Sequence, residues 1–231
     1  MCEIYVTAGK FREAFLRSLP PIGESGRGFA LIYPREVKLL RDLDAESVTE
    51  KYLRSPEPLV SILHRRVPTH GEVSVDNTQP FSDGKRAFAH NGTLGEAYHL
   101  LKAMYPRLRG ASDSRLLWEF IKDMPWEQAL TLLRALGDRF VLADARRRQI
   151  ALIGSWMWNE RDQIWDRWRW IEQDQTWGRW GHWGRGLLGS VREYEYVLLD
   201  YSDGTLKIVE SEGAGHRLIG VKGRARRSPA G

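Results

Sequence analysis

At 231 residues, with 42% hydrophobic and 28% charged residues, the chain has the length and composition of one substantial globular core, and no apolar run approaches the roughly 18 residues of a membrane span. A single cysteine, Cys2, excludes an internal disulfide and a cysteine-based metal cage and agrees with a reducing compartment. The formal charge of +5 is matched by Arg217, Lys222, Arg224, Arg226 and Arg227, which follow the last acidic residue, Glu212; the other 30 basic and 30 acidic residues balance, which argues against a strongly basic nucleic-acid surface on the body of the protein.

The opening run MCEIYVTAGKFRE lacks the basic start, apolar stretch and small-residue cleavage site of a secretory signal, so the expected location is the cytoplasm. EIYVT, ALIY (Ala30 to Tyr33), LVSILH (Leu59 to His64) and RAFAH (Arg86 to His90) are short β-branched or aromatic runs separated by turn signals, and they predict strands. From Glu96 to Tyr105, Asp113 to Met124 and Trp126 to Leu136 the apolar residues instead recur at helical spacing, with Ser112 or Asp113 as N-cap of the second helix. Strands return at RFVLADA and QIALIGSW, and again at YEYVLLDY and TLKIVE around Asp203-Gly204. Strands, then helices, then strands suggest helices layered on antiparallel sheets, an α+β arrangement.

Eight of the ten tryptophans fall between Trp156 and Trp183, interleaved with arginines that include Arg167 and Arg169. Such a segment serves either as a satellite core over a sheet edge or as a docking surface for a second copy or another protein. We expect one domain over residues 1–212, carrying a Trp-rich insertion at about 156–183, and a flexible basic tail over 213–231.

Cys2 is the residue through which chemistry enters. Initiator methionines are removed before small side chains, and a chain that starts at Cys2 carries a thiol beside a free α-amine, whose reference pKa of about 7.7–8.0 suits it to act as the base for that thiol. Four further segments follow in order: HRRVPTHG (His64 to Gly71), NTQPF (Asn77 to Phe81), AFAHNGTL (Ala87 to Leu94) and GASDSRLL (Gly110 to Leu117). With a terminal cysteine, this set resembles the class II glutamine amidotransferases, N-terminal-nucleophile hydrolases with an R-x-x-T-x-G strand end, an N-x-H-P-F run, an H-N-G turn and an S-D-[ST] helix start. The resemblance runs from Cys2 to about Ile153 and is strongest to members without an attached synthase domain.

The resemblance implies a four-layer αββα sandwich, no cofactor and no metal, and a site in which Cys2 attacks the side-chain amide of glutamine. Asn91 and Gly92 form the oxyanion hole, an assignment that chemistry supports, since an amide side chain and an approachable glycine N–H are the donors a tetrahedral oxyanion needs. Arg66 takes the substrate α-carboxylate and Asp113 its α-ammonium, while Thr69 and His70 shape the glutamine site. His64, His90 and His99 read as buried or hydrogen-bonded residues, because no acidic or cysteine partners recur at metal-ligand spacing. Departures stand at Val67 and Pro68, where an aromatic and an alanine are frequent, and at Gln79 in place of the histidine, and a different pocket wall follows from them; Arg115, where an acidic residue is common, weakens the inference that free glutamine is the only substrate. Three readings stay open. The chain is a glutaminase that supplies ammonia to a separate synthase, a hydrolase of another γ-glutamyl amide or peptide, or a non-catalytic nucleic-acid or protein binding module on the same fold. Its partners would be glutamine or a γ-glutamyl compound, together with an acceptor enzyme or a second copy docked on the Trp-rich segment, and no membrane.

Overall fold

The computed structural model describes residues 2–20, 22–159, 164–166, 190–201, 205–213 and 215–218. In chain order these form β1 (Glu3–Ala8), α1 (Glu13–Ser18), β2 (Arg27–Ile32), β3 (Val37–Asp42), α2 (Ala45–Arg54), β4 (Val60–Arg65), β5 (Phe81–Ser82), β6 (Arg86–Asn91), α3 (Glu96–Met104), α4 (Asp113–Ile121), α5 (Trp126–Leu136), β7 (Arg139–Asp144), β8 (Gln149–Asn159), β9 (Ile164–Asp166), β10 (Ser190–Asp200), β11 (Lys207–Glu212) and β12 (Gly215–Leu218). The first sheet has the order β3-β2-β4-β1 and the second runs β5-β6-β7-β8-β10, all pairs antiparallel. Short β9 joins them, pairing Val6 and Thr7 of β1 on one side and residues 157–159 of β8 on the other.

Alternation along the strands explains why the two sheets stack. Even-numbered residues of the first sheet, Ile4, Val6, Ala30, Ile32, Val60 and Ile62, meet odd- and even-numbered residues of the second, Ala87, Ala89, Val141, Ala143, Ile150, Leu152, Val197 and Leu199, in one dry core. The opposite face of the first sheet, with Tyr5, Phe29, Leu31 and Leu63, is covered by Leu16 of α1 and by Val48 and Tyr52 of α2. Phe88, Phe140, Leu142, Ile153 and Tyr196 of the second sheet pack under Leu116, Leu117, Trp126 and Leu133 of the helices. The result is the four-layer αββα sandwich.

Local chemistry sets the helix starts. The Asp44 carboxylate accepts from the Glu46 and Ser47 N–H groups at 3.0 and 3.2 Å and caps α2. Ser112, not Asp113, caps α4, its hydroxyl accepting from Arg115 N–H at 3.2 Å. At the far end of α5, Gly137 adopts φ 70°, the left-handed turn that stops the helix just before β7. Among the described residues no helix is long and apolar enough to cross a membrane.

Two observations bear on the C-terminal third. Gly215–Leu218 form β12 on the edge of β10, so the boundary at 212/213 falls inside the sheet; backbone pairing with an open edge needs no apolar pattern in the added strand. The Trp-rich segment begins as part of the fold: Trp156 and Trp165 are buried in the inter-sheet core, and Trp158 packs against Trp165 with ring centroids 5.3 Å apart. Arg167, Arg169, Trp177, Trp180, Trp183 and the tail beyond residue 218 lie outside the described residues.

Trp156 is 1% exposed, and its indole N–H donates to the Ile153 carbonyl at 2.9 Å. Replacing it by alanine removes a large ring from the layer that both sheets share. Trp156→Ala should therefore lose about 3–5 kcal/mol of stability in urea unfolding; a loss below about 1 kcal/mol, the range of surface substitutions, would place this tryptophan outside the core.

Candidate active site

The site lies where the inter-sheet layer opens at one end of the strands. Cys2 precedes β1 and shares the inward parity of Ile4 and Val6, and Arg66 follows β4 with the parity of Ile62 and His64. Asn91 ends β6 with the parity of Ala87 and Ala89. Residues from the two sheets thus converge on one mouth.

The convergence is visible in hydrogen bonds. Asn91 Nδ2 donates to the Cys2 carbonyl at 2.7 Å, across 89 residues of sequence. Val67 N–H donates to Cys2 Sγ at 3.3 Å, and the thiol in turn donates to the Val67 carbonyl at 3.3 Å. Burial pushes the Cys2 thiol up; the Val67 N–H and the Arg66 charge act against this, and Asp113 reinforces it. A thiol so placed rests protonated near neutral pH and requires a base before it can attack.

Arg66 is 3% exposed. Its Nη1 donates to the Glu72 carbonyl at 3.0 Å and its Nη2 to the His70 carbonyl at 3.2 Å, so the guanidinium braces the 70–72 loop. Burial lowers its pKa, while Cys2 and Asp113 raise it. A guanidinium has five N–H donors, which leaves capacity for a substrate carboxylate. Asp113 is equally buried and opens α4; its Oδ2 accepts from Leu94 N–H at 3.1 Å and its Oδ1 from Ser114 N–H at 2.8 Å. Leu94 follows the Asn91-Gly92 turn, so this carboxylate is tied to that turn.

Thr69 is exposed and faces the hydroxyl of Thr93 at 3.5 Å, which puts the loop after β4 against the turn after β6. The His70 ring packs on Tyr98 of α3, centroids 4.7 Å apart. Cys2, Arg66, Thr69, His70, Asn91, Gly92 and Asp113 are therefore gathered by elements that adjoin one another. Gly92 is needed for space, since a Cβ there would stand 1.8 Å from Asp138 Oδ2. Gly71, at φ 78°, likewise lets the backbone of Ser112 approach to where a Cβ would lie 2.5 Å from its nitrogen.

Three residues without an assigned role in the sequence complete the frame. Asn77 donates to the carbonyls of Glu72 and Gly110 at 2.9 and 2.8 Å and accepts from Ser112 N–H at 2.9 Å, stapling the Arg66 loop to the start of α4. Gln79 clips the His90 backbone: Oε1 accepts from His90 N–H at 2.6 Å and Nε2 donates to its carbonyl at 3.1 Å. Asp138 accepts from Thr93 N–H at 3.1 Å and contacts His90 Nε2 at 3.1 Å. Asn77 and Gln79 sit in the NTQPF run, whereas Asp138 carries no sequence signal beyond its place after a helix-ending glycine.

The histidines divide. His90 bonds to Ser114 and Asp138, and His64 is fully buried, but His99 is exposed on α3, whose one fully buried position is Leu101. Neither ring nitrogen of His64 has a hydrogen-bond partner among the described residues. Burial holds its pKa down at about 3, and the Arg66 charge adds to the depression. The fold thus prefers the neutral ring: its contribution is complete above the unfolded value of 6.5 and is lost as pH falls from there toward 3. His64→Leu should flatten the acid limb of stability between pH 6.5 and 4 by up to about 1.4 kcal/mol per pH unit, one proton's worth. Urea unfolding at several pH values measures this, and parallel limbs for the two proteins would contradict it.

No protein-family model matches the sequence, and no curated protein matches it. Solved structures do match the fold. One is glutamine phosphoribosylpyrophosphate amidotransferase from B. subtilis complexed with ADP and GMP: TM-score 0.56 and 14% identity over 90% of this chain and 48% of that one. A second, described as the allosteric regulatory enzyme of purine biosynthesis, gives TM-score 0.53 and 18% identity over 72% of this chain and 41% of that one. A glutamine aminotransferase class-II domain protein from Silicibacter pomeroyi aligns over 87% of this chain and 99% of its own at 16% identity and TM-score 0.46. The chain spans about half the length of the first two. It has the fold of the class II glutamine amidotransferases, a four-layer αββα sandwich.

Proposed function

We propose that the chain is a glutamine amidotransferase-like amidohydrolase in which Cys2, exposed by removal of Met1, is the nucleophile. The observation that carries this reading is the 2.7 Å bond from Asn91 to the Cys2 carbonyl, with Arg66 and Asp113 both acting electrostatically on the thiol. Cation, anion, sulfur and amide donor are the groups needed to hold and open the side-chain amide of a free amino acid.

In this reading Arg66 holds the substrate α-carboxylate and Asp113 the α-ammonium, which aims the side-chain carbonyl at sulfur. The α-amine of Cys2, directly or through water, takes the thiol proton, answering the raised pKa of the buried sulfur. The thiolate adds to the amide carbon, and the oxyanion gathers hydrogen bonds from Asn91 Nδ2 and Gly92 N–H. A primary amide has two N–H groups, so Asn91 can keep the Cys2 carbonyl and still serve the oxyanion. The amine returns its proton to the departing nitrogen, ammonia leaves, and a γ-glutamyl thioester remains. Water, deprotonated by the same amine, releases glutamate and regenerates the thiol. The cytoplasmic setting suits a free thiol.

Intact mass of the active protein should show loss of Met1 and a single adduct with 6-diazo-5-oxo-norleucine, mapped to Cys2; an active preparation that retains Met1 would sink the mechanism. Asn91→Ala should lower kcat by about 10²–10³-fold with a smaller change in KM, because an oxyanion donor acts in the transition state. Arg66→Ala and Asp113→Ala should mainly raise KM. Comparing kcat/KM for glutamine and for a γ-glutamyl peptide identifies the substrate class, and a large preference for the peptide would select the second hydrolase reading.

A further inference from the structure

One hydrogen-bonded chain runs behind the candidate site and is used by none of the steps above. Asp138, between α5 and β7, contacts His90 Nε2 at 3.1 Å; His90 Nδ1 lies 2.9 Å from Ser114 Oγ; and the Ser114 backbone N–H donates to Asp113 Oδ1 at 2.8 Å. Each link is buried or half-buried, with the His90 side chain at 0% exposure and that of Asp138 at 22%. The chain connects two places that a glutamine-like substrate would touch at its opposite ends. At one end Asp138 lies against Gly92 and accepts from Thr93 N–H, so it fixes the turn that offers the oxyanion donors. At the other end stands Asp113, the partner of the α-ammonium.

The polarity of the chain follows from donor and acceptor counting. Asp138 is held ionised: burial raises its pKa, but the hydrogen bond from His90 and the N–H groups of Arg139 and Thr93 outweigh this and the net shift is downward. An ionised carboxylate only accepts, so His90 Nε2 must carry the hydrogen. In the neutral ring Nδ1 is then an acceptor, and the Ser114 hydroxyl donates to it. The distances agree, since Ser114 Oγ is 2.9 Å from His90 Nδ1 and 3.3 Å from Asp113 Oδ1. Held in this way, the hydroxyl anchors the first turn of α4, and the Ser114 N–H fixes the aim of the Asp113 carboxylate. The ring stacks on Phe140, centroids 4.7 Å apart, and Gln79 fastens its backbone, so the imidazole has little room to turn.

We propose that Asp138 is a positioning residue which, through His90 and Ser114, joins the Gly92-Thr93 turn and the Asp113 carboxylate into one unit, so that the oxyanion site and the ammonium site are set together. The inference rests on the amidohydrolase reading above. Its value to such an enzyme is geometric: the distance between the two recognition points decides whether the amide carbon meets the sulfur, and displacements of about 1 Å can reduce turnover on the order of 10²-fold.

The test has two arms. In the first, long-range ¹H–¹⁵N spectra of the wild-type protein read the His90 tautomer; hydrogen on Nε2 is expected, and hydrogen on Nδ1 overturns the proposal. In the second, glutaminase kinetics are measured for Asp138→Ala, Asp138→Asn, Ser114→Ala and the double variant Asp138→Ala/Ser114→Ala. Asp138→Ala should lower kcat and raise KM, each by about tenfold, and Ser114→Ala should raise KM alone. Asp138→Asn should restore most of both, because its Oδ1 can accept from Thr93 and His90 as Asp138 Oδ2 does. The double variant should have the KM of Asp138→Ala, as expected for two links of one chain. Multiplying KM effects, or an Asp138→Asn variant as impaired as Asp138→Ala, would overturn it. Wild-type protein that forms no Cys2 adduct and hydrolyses no γ-glutamyl amide defeats the amidohydrolase reading instead, and the tautomer still decides the hydrogen-bonded chain.

Discussion

The close stacking of two antiparallel sheets through a dry layer is the constraint on which everything else in this molecule depends. Ala30, Ala87, Ala89 and Ala143 contribute small side chains to that layer, and Ile, Val, Leu and Trp fill it. The strands β1, β2, β4, β6, β7, β8 and β10 are committed to it by alternation, so their opposite faces are covered by helices. The same parity that sends Ile4, Ile62 and Ala89 inward delivers Cys2, Arg66 and Asn91 to the open end of the layer. The site is thus the place where the inward pattern runs out of apolar residues.

Assembly at that mouth is a matter of satisfying backbone groups in loops. Arg66 binds two carbonyls of the 70–72 loop, Asn77 ties that loop to residues 110 and 112, and Gln79 binds both backbone groups of His90. Buried polar side chains here replace the ladder bonds that the loops lack, which satisfies groups that would otherwise be costly to bury. Gln79 acts on the backbone: a primary amide presents a donor and an acceptor, as a peptide unit does, so it can pair with both groups of one residue. His64 is the exception, a neutral ring in the dry layer with no partner among the described residues.

Electrostatics then tune the sulfur. The low-dielectric surroundings that hold the sheets together also raise the Cys2 thiol, and Arg66 is close enough to oppose this while Asp113 is close enough to reinforce it. Cation and anion thus act on the sulfur in opposite directions. Activation then falls to a base, a role that the free α-amine of a chain starting at Cys2 fills in the proposed mechanism.

Much of this was legible in the residues themselves. Period-2 and period-3.6 patterns marked the strands around Ile4, Ile62, Phe88, Val141, Ile150 and Val197 and the helices at Glu96, Asp113 and Trp126, because these elements bury a regular face. The motifs around Arg66, Asn91 and Asp113 were legible because they are local, each a few residues held by one turn. By contrast α1, with one buried residue, and α2, with Val48, Thr49 and Tyr52 buried, are too polar to announce themselves by pattern, and β3 has a single buried residue, Val37. The sequence alone determined which faces are apolar, since this follows from side-chain type and spacing. Only the tertiary structure decided that Trp156 and Trp165 are core, that residues 215–218 extend the sheet, and that Asp138 reaches His90, because these contacts span tens of residues and depend on which strands become neighbours.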